Sequence, residues 1–243
     1  MIISLSSYHA PQRNAPLRVL PAVCYHNPMD KQHELAALET AMAADETLPL
    51  RDANLVFGEG NPDGGIMFIG EAPGQNEDRL KRPFVGRGGQ LLDRMIESIG
   101  WHRPDVYITN IVKRRPPENR DPSLEEIAAY RPWLARQIEI VDPKIIVTLG
   151  RFSMNYFLPL AKITRDRGRG FLVDGRIIFP VLHPAAALRS TEMMHMLEED
   201  FQKLPAAVRG DIPAEIPPSL AMPPARETKS RPKPEKPSQE GLF

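Results

Sequence analysis

Four short runs of apolar residues constrain the fold of this chain more than any other feature. They are rich in β-branched residues, almost uninterrupted, and lie at 65–70, 106–112, 144–150 and 176–182. Helical patterns at 88–100 and 123–141 separate the first three, and the second helix opens with the capping box of Ser123 and Glu126. Strands that are buried on both faces and alternate with helices form a parallel sheet covered on both sides. The pattern predicts an α/β fold, a three-layer αβα sandwich with a four-stranded parallel sheet.

The chain divides by composition into three segments. Residues 1–30 mix Pro, His and Asn without a clear period, which predicts a loosely ordered N-terminal arm. The helical spacing of Leu35, Leu38 and Met42 opens the predicted domain, which spans residues 31–208. Residues 209–243 contain eight prolines and almost no aromatic residues, which predicts a disordered tail.

Composition also excludes several classes of protein. The one cysteine, Cys24, cannot form an internal disulfide or a cysteine-rich metal site. No apolar run approaches the ~20 residues of a membrane span, and the first residues lack the basic leader of a secretory signal. The formal net charge is zero and favours no class of partner. We expect a cytoplasmic monomer with no membrane contact.

Polar and aromatic residues cluster where the predicted strands end. "GEAPG" (70–74) follows the first strand, Asn110 lies near the end of the second, and His183 follows the fourth. In parallel sheets, ligands bind beyond the carboxyl ends of the strands. "GEAPG" lacks the spacing and the lysine of a phosphate-binding loop, so nucleotide hydrolysis is not indicated.

Each of these features has an ordinary structural explanation when it is taken alone. "GEAPG" can be a tight turn, Asn110 a turn residue, His183 a surface histidine, and Phe84 part of the core. Together, however, an aromatic face, a planar amide and an imidazole are the groups that hold a nucleobase. Residues 79–120 add ten basic side chains against four acidic ones, a local excess that suits nucleic-acid phosphates.

Three blocks of the sequence resemble one known family. "GEAPGQNED…RPFVGRGGQLLDRM", "YITNIVKRRPPENR" and "HPAAALR" are similar, in this order, to the family 4 branch of the uracil-DNA glycosylase superfamily. The resemblance covers roughly residues 33–205. It implies a DNA repair glycosylase that flips uracil out of DNA and hydrolyses its N-glycosidic bond, leaving an abasic site. The alternative is a non-catalytic, replication-associated module that binds uracil or DNA on the same fold.

The resemblance implies a role for each residue at the strand ends. Phe84 would stack on the flipped uracil, and Asn110 would hydrogen-bond its pairing edge and reject cytosine. Glu77 would exclude the methyl group of thymine. His183 would donate to O2 as negative charge moves onto the departing base, and Glu71 would order the pocket or the attacking water.

The resemblance also implies which residues touch DNA. Leu188 and Arg189 would enter the minor groove and fill the gap that the flipped base leaves. The local excess of basic side chains, in turn, predicts that Lys113, Arg114 and Arg115, in the second block, contact phosphates.

Two features concern chemistry and cofactors. Ala72 stands where other branches of the superfamily place an aspartate that orients water, which suits a reaction led by departure of the leaving group. Family 4 proteins usually bind an iron–sulfur cluster through four cysteines, but Ala43, Glu46, Arg114 and Tyr130 occupy those positions. We therefore expect no cofactor and no metal, and we expect Arg114 to contact a phosphate or an acidic side chain such as Glu46 in place of the cluster.

The final five residues, "QEGLF", resemble the Gln-x-x-Leu-Phe pattern through which bacterial replication and repair proteins bind the sliding clamp. Leu242 and Phe243 would fill an apolar groove on the clamp, and Gln239 would bond at its rim. An accidental match at a frayed end is the alternative. Clamp binding would make the protein nucleoid-associated.

Overall fold

The computed structural model of the chain describes residues 31–217. Its elements alternate along the chain much as the apolar pattern predicts. In order they are α1 (Lys31–Ala44), β1 (Glu59–Gly60), β2 (Ile66–Gly70), α2 (Gln75–Leu80), α3 (Arg87–Ser98), the 3₁₀ helix Arg103–Asp105, β3 (Tyr107–Asn110), the 3₁₀ helix Pro117–Asn119, α4 (Leu124–Val141), β4 (Ile145–Leu149), α5 (Arg151–Phe157), α6 (Ile163–Asp166), β5 (Phe171–Val173), β6 (Arg176–Val181), α7 (Pro184–Ala187) and α8 (Thr191–Arg209).

The strands form one mixed sheet in the order β1-β3-β2-β4-β6-β5. The four strands predicted from the apolar runs are its centre, and they pair in parallel. The sheet has six strands rather than the predicted four, because the short strands β1 and β5 add to its edges in antiparallel orientation. The α/β class is confirmed, and the strand count is corrected.

The two edge strands carry little apolar signal of their own. β1 is only Glu59–Gly60. β5 joins β6 through Asp174 and Gly175, which both have positive φ, as a two-residue hairpin turn of type I′ requires. That Asp-Gly pair is a hairpin signal in the sequence, and it identifies the strand that the apolar pattern misses.

Helices cover both faces of the sheet. The side chains of β2 alternate, so that Met67 and Ile69 join the core under α1, α4 and α5, whereas Ile66 and Phe68 join the core under α3 and α8. All five residues of β2 are buried. The central strands therefore carry apolar side chains on both faces, and only their ends can present polar groups to a ligand.

The predicted boundary of the tail lies too early. After α8 ends, Glu215 pairs with Phe171 of β5, and its backbone N–H donates to the carbonyl of Gly170 at 2.8 Å. Arg169 forms an ion pair with the Glu215 carboxylate. Residues 211–217 thus pack against the sheet edge. The predicted arm, 1–30, and the tail beyond residue 217 lie outside the described residues.

No helix within residues 31–217 is long and apolar enough to cross a membrane.

Candidate active site at the carboxyl edge of the sheet

The carboxyl ends of the parallel strands border a cavity of about 500 Å³. This size is ordinary for a small-molecule site. All six residues predicted to bind or act on a base line it, namely Glu71, Ala72, Glu77, Phe84, Asn110 and His183. They come from four separate segments of the chain, which the parallel topology brings to one edge.

Asn110 ends β3, and its register partner is Gly70 at the end of β2. The side chain is 2% exposed, and Oδ1 has no hydrogen-bond partner among the described residues. A Cβ atom at position 70 would lie 2.4 Å from that oxygen and 2.4 Å from Cζ of Phe84, so only glycine leaves room for both groups. A buried acceptor without a partner costs about 1–3 kcal/mol, which a ligand N–H can offset.

Phe84 supplies the aromatic wall of the cavity. It is 7% exposed, and its φ of +52° places it in the left-handed region that few residues other than glycine adopt. Its ring centroid lies 5.8 Å from that of His183, with 32° between the ring planes. The aromatic face and the imidazole therefore border the same space.

His183 is the N-cap of α7, and Nδ1 accepts a hydrogen bond from the backbone N–H of Ala185 at 3.1 Å. Burial lowers the pKa of the imidazole to about 4, and the nearby charge of Glu77 opposes this only in part. The ring is therefore neutral near pH 7 and carries its proton on Nε2. It can donate that proton in a hydrogen bond without being charged.

Glu71 follows β2 directly and is half-buried. Burial is the main cause that raises the pKa of this carboxyl to about 7, and the negative charge of Asp121 adds to it. The positive charge of Arg151 acts in the opposite direction. Arg151 is held beside Asp121 by a hydrogen bond of 2.8 Å. Glu71 thus exchanges a proton near neutral pH, as a group that takes a proton from water must.

Glu77 has a contact that the sequence does not predict. Its Oε1 accepts hydrogen bonds from the backbone N–H groups of Val85 at 2.9 Å and Gly86 at 2.7 Å. The carboxylate thus fixes the loop that carries Phe84 while it lines the cavity. Its predicted role against thymine stays a prediction.

Arginines surround the mouth of the cavity. Arg87, Arg120 and Arg189 all line it, although only Arg189 was predicted there. Arg120 is paired with Glu126 at 2.6 Å. Arg87 and Arg189 are exposed and form no ion pair with any other residue in the described part of the chain.

The basic residues of the second block do not act together as predicted. Lys113 is fully buried, and its Nζ donates to Thr109 Oγ1 and Gln137 Oε1. Burial lowers its pKa well below the ordinary value. Lys113 cannot reach a phosphate, so that prediction is wrong. A run of basic residues in the sequence does not show which of their side chains is buried.

Arg114 is also buried, at 8% exposure, and donates to the carbonyl of Ala53. Its predicted phosphate contact and its predicted ion pair with Glu46 are both wrong. Arg115 is half-buried and donates to Asn119 Oδ1 at 2.7 Å. Leu188 is half-buried against the core under α3 and α8.

The four positions aligned with cluster cysteines do not fit an iron–sulfur cluster. They supply a methyl group, a carboxylate, a guanidinium and a phenol, and no thiolate. The hydroxyl of Tyr130 donates instead to the carbonyl of Pro49 at 2.8 Å. Burial raises the pKa of Tyr130 to about 12, against the opposing charge of neighbouring Arg114. No group of three or more His, Cys, Asp or Glu within residues 31–217 could hold a metal ion.

Several known proteins resemble this chain. The sequence profile of the Uracil DNA glycosylase superfamily matches residues 57–207. The chain is 51% identical over 161 residues to the type-4 uracil-DNA glycosylase of Sulfurisphaera tokodaii, covering 62% of this chain and 73% of that protein. It is 48% identical to the type-4 enzyme of Saccharolobus solfataricus, covering 64% and 76%, and 42% identical to that of Thermotoga maritima, covering 67% and 87%.

Proposed function

Since the chain belongs to the uracil DNA glycosylase superfamily and is an enzyme of its type-4 branch, we propose that its cavity holds a uracil flipped out of DNA. The reaction is hydrolysis of the N-glycosidic bond, which leaves an abasic site. The base would sit beyond the ends of β2 and β3, between Phe84 and His183.

The observation that carries this proposal is the buried, unpartnered Oδ1 of Asn110. Uracil presents an N3–H donor to such an acceptor and an O4 acceptor to the amide N–H₂. Cytosine presents the reverse pattern, so its binding would leave buried polar groups unpaired. An amide at this place therefore selects uracil over cytosine.

Two side chains would complete the pocket for the base. Phe84 stacks on one face of the ring. Glu77, whose Oε1 is held by two backbone N–H groups, occupies the edge where thymine carries its methyl group. Thymine would be rejected there by contact.

The chemistry depends on the departing base more than on a strong nucleophile. As the glycosidic bond breaks, electrons pass to the uracil ring, and His183 donates its Nε2–H to the oxygen O2 that gains negative charge. A neutral imidazole suits this step because its N–H stabilises the developing anion by a hydrogen bond while the proton stays on the ring. Glu71 would orient water for attack on the sugar cation, in a motif where Ala72 leaves no second carboxylate.

DNA would approach over the arginines at the mouth of the cavity. Arg189 and Arg87 are the best placed because both are exposed and unpaired within residues 31–217. Arg115 can add a phosphate contact, and Leu188, next to Arg189, can fill the gap in the base stack by its exposed part.

A direct assay tests this function. The purified protein is incubated with a labelled oligonucleotide carrying one uracil, in single- and double-stranded form, and abasic sites are then cleaved with alkali. We expect cleavage at the uracil and none with thymine or cytosine at that place.

His183→Ala should lower the single-turnover rate of uracil excision by ~10²–10³, as loss of one anion-stabilising donor does. Binding of the oligonucleotide without cleavage by the wild type would favour a non-catalytic module instead.

We also propose that Gln239, Leu242 and Phe243 bind a bacterial sliding clamp and place the enzyme on nucleoid DNA. These residues lie outside the described part of the chain, and the proposal rests on their pattern and on the proline-rich segment before them.

A further inference from the structure

Arg103 lies behind the wall of the cavity, and none of the roles assigned above uses it. It begins the 3₁₀ helix Arg103–Asp105, and 18% of its side chain is exposed. A guanidinium buried to this extent is stable only where its charge is balanced and its N–H groups are bonded.

All five N–H donors of Arg103 are in use. Nε and Nη2 donate to Glu59 Oε1 at 2.9 and 2.7 Å, and Nη1 donates to Asp93 Oδ1 at 2.7 Å. The other two reach backbone, Nη2 to the carbonyl of Pro83 at 2.6 Å and Nη1 to the carbonyl of Phe84 at 3.2 Å. The carboxylates balance the charge, and the remaining donors hold the two peptide groups that flank the Cα of Phe84.

Glu59 stays ionised in this arrangement. Its burial acts to raise the pKa, but hydrogen bonds and charges from Arg82 and Arg103 outweigh that effect and lower the pKa below its usual value. Arg103 is thus anchored to a carboxylate that remains charged at neutral pH. The anchor lies on β1, the antiparallel edge strand.

The backbone of Phe84 needs such support because its φ is +52°. A residue in this region keeps its conformation only where the surroundings hold it there. Arg103 holds the carbonyls on one side, and Glu77 accepts the next two backbone N–H groups on the other. Cation and carboxylate together fix the loop from opposite directions.

The consequence reaches the cavity through the ring of Phe84. The ring touches the space above Gly70, beside Oδ1 of Asn110, and its centroid lies 5.8 Å from that of His183. Arg103 itself does not line the cavity. Any effect of Arg103 on a bound base therefore has to pass through Phe84.

We infer that Arg103 is a positioning residue for the glycosylase reaction: it holds Phe84 in the left-handed conformation that presents the ring to the flipped uracil. The inference rests on the proposed function, because it takes Phe84 as the surface on which uracil stacks.

Single-turnover excision from a duplex with one uracil tests the inference. Arg103→Met keeps the aliphatic stem and removes all five donors. We expect its rate to fall by ~10², the usual cost of misplacing a reacting group by about 1 Å. Arg103→Lys keeps the charge but cannot hold both carbonyls and both carboxylates. Its excision rate should lie between that of Arg103→Met and that of the wild type.

Arg136→Met is the matched control. Arg136 is buried to a similar extent, with 24% of its side chain exposed, and is paired with Glu34 and Glu139 on α1 and α4, away from Phe84. Its rate should stay within about twofold of the wild type, even if its melting temperature falls as far as that of Arg103→Met.

A double-mutant cycle with Phe84→Ala separates positioning from general stability. If Arg103 acts through the ring, then Arg103→Met costs about twofold or less once the ring is gone. Should Arg103→Met fail to fold, Arg103→Lys takes its place in the same cycle.

Losses that multiply in the double variant, or a wild-type rate in Arg103→Met at a lowered melting temperature, would overturn the inference. A wild-type chain that releases no uracil would overturn the proposed function itself, and this inference with it.

Discussion

At the scale of single residues, Glu71 and His183 are suited to different parts of the proposed reaction. Glu71 would act on the attacking water, and His183 on the departing base. Burial raises the pKa of the Glu71 carboxyl to about 7 and lowers that of the His183 imidazole to about 4. In both cases burial favours the neutral form, but the result differs. The imidazole becomes a permanent neutral donor, whereas the carboxyl changes its charge within the physiological range.

The pH dependence of excision follows from the pKa of Glu71. If the ionised carboxylate orients water, the rate should rise as pH passes through about 7. Glu71→Gln should give a slower rate without that rise, measured by single-turnover excision between pH 5 and pH 9. Asp121→Asn, which removes the second cause of the raised pKa, should move the rise to lower pH. An unchanged profile in Glu71→Gln would exclude this role.

The same carboxyl should affect stability with a definite sign. Its folded pKa lies above its unfolded value, so the native state binds more protons between those two values and stability falls as pH rises through that window. Glu71→Gln should therefore melt at a higher temperature than the wild type at pH 8, and at a similar temperature at pH 4. A lower melting temperature at pH 8 would show that the carboxylate is stabilised by its surroundings.

Asn110→Asp tests how the pairing edge is read. The substitution removes the N–H₂ donor for O4, so uracil excision should fall by ~10², as loss of one transition-state donor does. A protonated or reoriented carboxyl can satisfy cytosine, so slow excision of cytosine should appear. The measurement compares oligonucleotides that carry uracil or cytosine at one position. An unchanged rate on uracil would remove Asn110 from the pocket.

At the scale of elements, the sequence predicts strands and helices that have a regular apolar pattern. It does not predict side-chain orientations that depend on residues far away in the chain. The central strands, α1 and α4 follow from apolar spacing and from the capping box, whose hydrogen bonds form at Ser123 and Glu126. The inward turn of Lys113 depends on Gln137, which lies on another element, and no local pattern encodes it. The five hydrogen bonds of Arg103 likewise cannot be predicted from the sequence around it.

Side chains tie the segment between α1 and β1 at two of the positions that the family resemblance aligns with cluster cysteines. Arg114 and Tyr130 each bond a backbone carbonyl of this segment, at Ala53 and Pro49. Tyr130→Phe removes one bond and leaves the Pro49 carbonyl unpaired, so it should lower the free energy of unfolding by about 1–3 kcal/mol. Denaturant titration measures this, and the excision rate should not change.

Tyr156→Phe serves as the comparison for that substitution. Its hydroxyl makes a long bond of 3.4 Å to the carbonyl of Arg131, so its loss should cost less. Equal losses in the free energy of unfolding at the two positions would mean that Tyr130 does not tie the segment.

Stoichiometric iron in the purified protein would contradict the alignment of Ala43, Glu46, Arg114 and Tyr130 with cluster ligands.

At the scale of the whole molecule, the proposed clamp motif is separated in sequence from the domain that carries the cavity. Some twenty residues rich in proline and charge lie between residue 217 and "QEGLF". This composition predicts a linker, which lies outside the described residues. A clamp bound at its end would raise the local concentration of the domain on DNA without altering the cavity.

Deletion of residues 239–243 should therefore abolish binding to a bacterial sliding clamp and leave excision from a short oligonucleotide unchanged. The reason is that different residues are involved: the apolar pair Leu242 and Phe243 would fill a groove on the clamp, whereas the ends of β2 and β3 would hold the base. Calorimetry measures the first effect and the alkali-cleavage assay the second. Deletion of residues 226–230 is the control, since it shortens the linker by the same length and keeps the motif. Clamp binding that survives loss of 239–243, or that is lost equally in the control, would mean that the motif is not the point of attachment.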